Sequence, residues 1–307
     1  MAELNKNDKT AFIAIVGRPN VGKSSLLNCM LGQKIAIVSN KPQTTRNRIM
    51  GVMTEGDTQL VFIDTPGMHK PRTELGKYMV RSISESVAGV DACLLVTEAG
   101  REITQTEENL MERFKAMDIP AVLAINKTDT LKEKPELMKQ ILTYSSKFDF
   151  NAVVPVSAQN GNGIDDLKAE LKALAQEGGH FFEDDTLTDQ PERVLAAEMI
   201  REKILRLLDK EIPHGTAVVV ERMKTRSDNN IIDLDATIYC EKESHKGIII
   251  GKKGAMLKKI GTFARQDMEN FFDCKINLTL WVKVKEDWRN RAGLLRSMGY
   301  DKSDFDS

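Results

Sequence analysis

Gly17-Arg18-Pro19-Asn20-Val21-Gly22-Lys23-Ser24 fills the pattern G-x-x-x-x-G-K-[ST] at every fixed position. An apolar run, Ala11 to Val16, precedes it, and an amphipathic stretch, Lys23 to Met30, follows. The octet therefore reads as the turn between a buried strand and a helix. Glycines let the backbone wrap closely around phosphate oxygens, so that successive N–H groups point inward. The helix start adds the positive end of its dipole, Lys23 a mobile cation for the β- and γ-phosphates, and Ser24 a hydroxyl ligand for Mg²⁺.

Outward from this loop, strand-like runs recur at Gln59 to Ile63, Ala92 to Val96, Ala121 to Ile125 and Ala152 to Pro155. Helical periodicity follows at Gly76 to Val87, Thr106 to Met117 and Ile164 to Ala175. Alternation of this kind predicts an α/β domain, a mostly parallel sheet with helices on both faces. Near Gly178 to Pro191 the pattern breaks into an acidic, Thr-rich stretch. The expected division is a nucleotide-binding domain over 1–182, a linker over 183–191 and a second domain with a C-terminal tail over 192–307.

Two further loops follow predicted strands. In Asn126-Lys127-Thr128-Asp129 the carboxylate of Asp129 can accept from both N1–H and the exocyclic amine of guanine. Adenine offers neither donor and would leave the carboxylate unpaired, which gives base discrimination. Asn126 can bridge loops, the Lys127 stem can pack over the purine, and Ser157-Ala158 can bring the Ala158 N–H near guanine O6. In Asp64-Thr65-Pro66-Gly67, Asp64 would hold Mg²⁺, usually through water, and the Gly67 N–H would sense the γ-phosphate. Upstream, Gln43-Thr44-Thr45-Arg46 forms a polar loop whose hydroxyls could ligate Mg²⁺ only while the γ-phosphate is present. Thr45 is the preferred ligand, with Thr44 the alternative.

In this order the motifs resemble the translation-factor-like branch of small GTPases, over about residues 8 to 177. The resemblance implies a P-loop GTPase domain with Ser24, Thr45 and Asp64 around the metal. It puts Lys23, Thr45, Gly67 and Asn20 in the catalytic set. Met68 stands where Ras-type GTPases place the glutamine that orients the attacking water, and a thioether cannot do that. Slow intrinsic hydrolysis is expected. Related GTPases with asparagine at the Asn20 position bind K⁺ beside the phosphates, so K⁺ is a second candidate ion. His69 and Arg46 are the nearest side chains that could assist directly.

The second half begins with a helix near Pro191, with Val194, Ala197, Ile200, Ile204 and Leu207 along one face. Alternating strands and a second helical stripe, Leu257, Ile260, Ala264, Met268 and Phe271, follow. Between them lies Ile250-Gly251-Lys252-Lys253-Gly254; from His245 to Gln266 there are five lysines, one arginine and no acidic residue. Glycines there allow a sugar–phosphate backbone close, Lys252, Lys253 and Lys258 supply charge, and an apolar groove including Ile248, Ile249 and Ile250 could accept unstacked bases. This resembles a KH domain, whose G-x-x-G loop clamps about four nucleotides of single-stranded RNA. A GTPase domain followed by one such smaller α+β domain resembles the Era family over nearly the whole chain. That family's role implies binding near the 3′ end of small-subunit ribosomal RNA, maturation of the small ribosomal subunit, and contact with the membrane surface. A monomer is expected.

The bulk numbers agree with this and exclude little else. A formal net charge of -1 over 307 residues means any nucleic-acid surface is a local patch. Cys29, Cys93, Cys240 and Cys274 show neither C-x-x-C nor metal-ligand spacing, which suits reduced thiols in the cytoplasm. The polar start, Met1 to Thr10, is no signal peptide, and no apolar run is long enough to span a bilayer.

Overall fold

The computed structural model describes residues 8–41, 44–46, 48–65, 73–75, 89–227 and 230–300. They form two compact units that divide at Asp189 and Gln190, and the short stretch Ile37–Thr44 groups with the second.

In the first unit, β1 (Lys9–Val16), β2 (Ile49–Glu55), β3 (Thr58–Asp64), β4 (Ala92–Glu98), β5 (Ala121–Asn126) and β6 (Ala152–Pro155) build one sheet in the order β2-β3-β1-β4-β5-β6. β1 lies parallel to β3 and β4, and β5 lies parallel to β4 and β6. β2 runs antiparallel to β3, and the two-residue β7 (Gln176–Glu177) runs antiparallel to β1. The helices are α1 (Lys23–Leu31), α2 (Gln105–Ala116), α3 (Lys134–Ser145) and α4 (Ile164–Lys172). Leu110, Met111 and Phe114 of α2 pack with Val16, Leu95 and Ile125 of the strands and Tyr144 of α3. Parallel strands all end at one edge of the sheet, so the loops after β1, β3, β5 and β6 gather there, and that edge is where an open α/β sheet binds its ligand.

Among the longer elements of this unit, α3 and β2 were not expected. α3 was hidden because Met138 and Leu142 point outward, 56% and 66% exposed, and blur its apolar stripe. β2 is an edge strand beside a polar loop, and its Gly51 interrupts the apolar run. The helix expected over Gly76 to Val87 lies outside the described residues, as does Gln43.

The acidic stretch is bound to the first sheet well beyond residue 182. Gln59 is fully buried, and its Oε1 accepts from the N–H groups of Phe181 and Phe182 at 2.9 and 3.0 Å. Its Nε2 donates to the Phe182 carbonyl and to Thr54 Oγ1, both at 3.0 Å. Further on, the Val52 N–H donates to the Leu187 carbonyl at 2.9 Å, and Thr188 Oγ1 donates to the Met50 carbonyl at 2.5 Å.

The second unit contains α5 (Glu192–Leu207), β8 (Ala217–Thr225), β9 (Ile231–Cys240), α6 (Glu243–Ile250), α7 (Ala255–Phe272), β10 (Lys275–Val284) and α8 (Ala292–Ser297). Its sheet has the order β10-β9-β8, with β10 parallel and β8 antiparallel to β9. Ile200, Ile204, Leu234, Ile238, Ile260, Ala264 and Met268 lie in one core. The two tryptophans part ways. Trp288 is buried with Nε1 donating to the Gly215 carbonyl at 3.0 Å, whereas Trp281 is exposed.

Burial on α5 is wider than the expected stripe. Leu195, Ala196 and Met199 are buried, and so are Arg201, Glu202 and Lys203. Arg201 and Glu202 bind the stretch Ile37–Thr44, and Lys203 is paired beside them. Glu202 Oε1 accepts from the Val38 N–H at 3.0 Å, and Arg206 Nε donates to the Val38 carbonyl at 3.1 Å. Arg201 pairs with Glu198 and donates to the Thr44 carbonyl, while Lys203 pairs with Glu202 at 2.7 Å and with Asp267. Among the described residues, no helix is long and apolar enough to cross a membrane.

Truncating Gln59 to alanine strips partners from three backbone groups at once. Losing these hydrogen bonds, with water replacing part of them, should lower unfolding stability by about 1–2 kcal/mol. Urea titration reads this directly, and limited proteolysis should cut within residues 178–189 of the variant before it cuts the parent.

Candidate nucleotide and RNA sites

The octet 17–24 lies between β1 and α1, with Val21 buried, Pro19 half-buried and Asn20 exposed at φ 65°. Lys23 is buried and folds back over the loop, donating to the carbonyls of Gly17 at 3.1 Å and Arg18 at 2.9 Å. Gly22 sits at φ 99°, and a Cβ there would collide with Asn126 Nδ2. The glycine thus serves two ends: a left-handed turn into α1, and the close approach of a neighbouring loop.

Ser24, Thr45 and Asp64 come together. Ser24 Oγ donates to Asp64 Oδ2 at 2.7 Å and shares a 2.9 Å hydrogen bond with Thr45 Oγ1, which lies 3.4 Å from the same carboxylate oxygen. Among the described residues, Asp64 Oδ1 is buried without a hydrogen-bond partner. Burial pulls the Lys23 ammonium down to about 8 despite the attraction of Asp64. Burial likewise pushes the Asp64 carboxyl up, against Lys23 and the hydroxyls of Ser24 and Thr45. A buried carboxylate oxygen without a donor, beside two hydroxyls, is a hard-oxygen set that suits Mg²⁺. Thr65 Oγ1 donates to the Ile15 carbonyl at 2.9 Å, fixing the start of the loop after β3. Pro66, Gly67, Met68 and His69 lie outside the described residues. Arg46 is buried rather than a solvated loop side chain, and Thr44 is held within the second unit through its carbonyl.

At the base-recognition loop, Asn126 Nδ2 donates to the Val21 carbonyl at 2.9 Å, and Asn126 Oδ1 accepts from the Ala158 N–H at 3.0 Å. That N–H was expected to face guanine O6; here it is taken up by the asparagine. Thr128 Oγ1 donates to the Val156 carbonyl at 3.0 Å, and Ser157 Oγ donates to Asp129 Oδ1 at 2.5 Å. The remaining Asp129 oxygen is on an exposed residue and is available to a base. Lys127 adopts φ 64° and its ammonium lies 3.1 Å from Glu98 Oε2.

Glu98 and Glu107 are contacts that no motif announced. Glu107 was legible in one respect: Thr104-x-x-Glu107 is a capping-box pattern, and both of its reciprocal bonds form. Its second bond, to Arg18 Nε at 3.1 Å, had no sequence signal.

In the second unit the turn Gly251–Gly254 connects α6 to α7. Gly251 has φ 72° and packs so closely on Met256 that a Cβ would clash with it, whereas a Cβ on Gly254 would meet nothing. Lys252, Lys253 and Lys258 are exposed, and Ile250 is half-buried. A groove of about 400 Å³ runs beside the turn, lined by Leu257, Lys258, Gly261, Arg265, Leu278 and Leu280 among others. Ile248, Ile249 and Ile250 are not among the residues lining this cavity. They lie on α6, where successive residues fan out by about 100°, so Ile249 turns into the core and Ile248 outward.

A family described as a 50S ribosome-binding GTPase matches residues 12–127, and the KH domain family matches residues 211–289. GTPase Era of Ruminiclostridium cellulolyticum is 52% identical over 95% of this chain and 97% of its own. GTPase Era of Clostridioides difficile is 49% identical over 95% and 99%. A crystal structure of a variant of Aquifex aeolicus Era bound to GDP and AlF4⁻ superposes with a TM-score of 0.91 at 37% identity, covering 95% of this chain and 99% of that one. A second, of Era with MgGDPNP and nucleotides 1506–1542 of 16S ribosomal RNA, gives the same TM-score, identity and coverage. With relatives this similar over almost the full length of both partners, the chain belongs to the Era family of GTPases.

Proposed function

We propose that this protein is a GTP-binding and GTP-hydrolysing switch that binds small-subunit ribosomal RNA near its 3′ end through the KH domain and assists maturation of the small ribosomal subunit. The observation that carries the reading is the convergence of a Mg²⁺-ready oxygen set, a buried lysine and Asp129 at one edge of the first sheet. The Gly251–Gly254 turn and its groove add a basic RNA-sized surface on the same chain. The solved Era complexes contain a nucleotide analogue with Mg²⁺ and a 16S fragment, which supports both halves.

In this reading residues 1–182 bind the nucleotide, 183–191 connect, and 192–307 bind RNA. Residues 17–24 cradle the phosphates, Ser24, Thr45 and Asp64 hold Mg²⁺, and Asn126, Lys127, Thr128, Asp129, Ser157 and Ala158 take the base. Bound Mg²⁺ neutralises charge on the β- and γ-phosphates. Asp64 is held close by Ser24, and Thr45 joins them through its own hydroxyl. The next residue back, Thr44, has its carbonyl gripped by Arg201. The family resemblance adds a monomeric, cytoplasmic protein that touches the inner face of the membrane.

Replacing Lys23 by alanine should lower Mg²⁺-dependent GTP hydrolysis by at least about a hundredfold, as removal of a charged transition-state contact does; an undiminished rate would leave only a passive RNA-binding protein. Changing Gly251 and Gly254 to aspartate should abolish binding to a 3′-terminal 16S oligonucleotide while GDP affinity, read by a fluorescent analogue, stays at the parent value. Hydrolysis should run faster in K⁺ than in Na⁺, and Asn20→Ala should erase that difference. Equal rates in the two salts would remove K⁺ from the site.

A further inference from the structure

Glu107 belongs to none of the nucleotide loops, yet its carboxylate is fully buried and receives four hydrogen bonds. Oε2 accepts from the Thr104 N–H and from Thr104 Oγ1, both at 2.8 Å, and closes the first turn of α2. Oε1 accepts from Arg18 Nε and from Thr97 Oγ1, both at 3.1 Å. Thr97 in turn shares a 2.9 Å hydrogen bond with the hydroxyl of Tyr144 on α3, and both residues are fully buried. A helix cap needs only the first oxygen. The second is buried as well, and it is turned toward the second residue of the phosphate loop.

Arg18 is where this matters. Its side chain is held by Glu107, and its backbone carbonyl accepts from Lys23 Nζ at 2.9 Å. One residue therefore joins the cap of α2 to the ammonium meant for the phosphates. We propose that Glu107 is a positioning residue for the phosphate loop: through Arg18 it fixes the carbonyl that aims Lys23, and so sets the grip on the β-phosphate without touching the nucleotide. The inference rests on reading residues 17–24 as the phosphate cradle.

The substitution Glu107→Gln separates the two duties. Glutamine serves the capping box as well as glutamate does, so its oxygen can stay with Thr104. Its NH₂ then faces Arg18, donor against donor, and the tether is lost.

Full-length parent and variants are titrated with GMP and GDP, ligands that differ only by the β-phosphate. For Glu107→Gln, GDP affinity should fall about tenfold, the scale of one lost charged hydrogen bond, while GMP affinity stays within about twofold and the thermal midpoint stays near the parent's. Arg18→Ala should show the same pattern, and the double variant should be no worse than either single, because both remove one link. Glu98→Gln is the comparator. It frees Lys127 at the base and should weaken GMP and GDP by one common factor. Equal loss of GMP and GDP binding in Glu107→Gln, or strictly additive effects in the double variant, would overturn the proposal. A parent protein that binds GMP as tightly as GDP would remove the phosphate cradle itself, and the proposal with it.

Discussion

Asn126 places one carboxamide between three loops. Its NH₂ end holds the Val21 carbonyl of the phosphate loop, and its oxygen end holds the Ala158 N–H after β6. The group is planar and short, so the loops that would meet phosphate and base are spaced by a rigid strut rather than by flexible chain. The strut imposes glycine at position 22, because any larger residue would occupy the space of the amide nitrogen. It works only because β1, β5 and β6 are parallel and end at the same edge of the sheet. Thr128 repeats the device on a smaller scale by bonding the Val156 carbonyl. A nucleotide entering such a frame meets groups already spaced for it, which reduces the ordering cost of binding.

The other recurring device is a buried charge that holds backbone or loop. Glu107 does this for Arg18 in the first unit, and Arg201 and Glu202 do it for the stretch Ile37–Thr44 in the second. Taking a charge out of water is expensive unless it is paired and fully hydrogen-bonded. In both places each charge has a partner of opposite sign: Glu107 has Arg18, Arg201 has Glu198, and Glu202 has Lys203 and Arg206. Such contacts are directional, unlike apolar packing, and they fix the pose of the segment they hold.

The phosphate loop, Asp64 and the 126–129 loop were legible because phosphate, metal and base demand particular residue types at fixed spacing. The central strands were legible because burial on both faces makes them continuous apolar runs, as in Leu94 to Val96 and Val122 to Ala124. α3 was not, since two of its apolar residues face outward, and neither was the wide burial of α5, because periodicity cannot foresee a charged residue that goes inside to bind a distant loop. The ties from Glu98 and Glu107 were illegible for the same reason: each joins residues 29 or 89 positions apart with no local pattern.

β2 is the outermost strand of the first sheet, and its open side is covered by Leu187 and Thr188. An uncovered strand edge is a template for pairing with other chains, so these two residues act as a guard against self-association as well as a connection. Anyone dividing the protein into its halves meets this directly: a first fragment ending at residue 182 would carry a bare hydrogen-bonding edge on Met50 and Val52, whereas one ending at Asp189 keeps it capped.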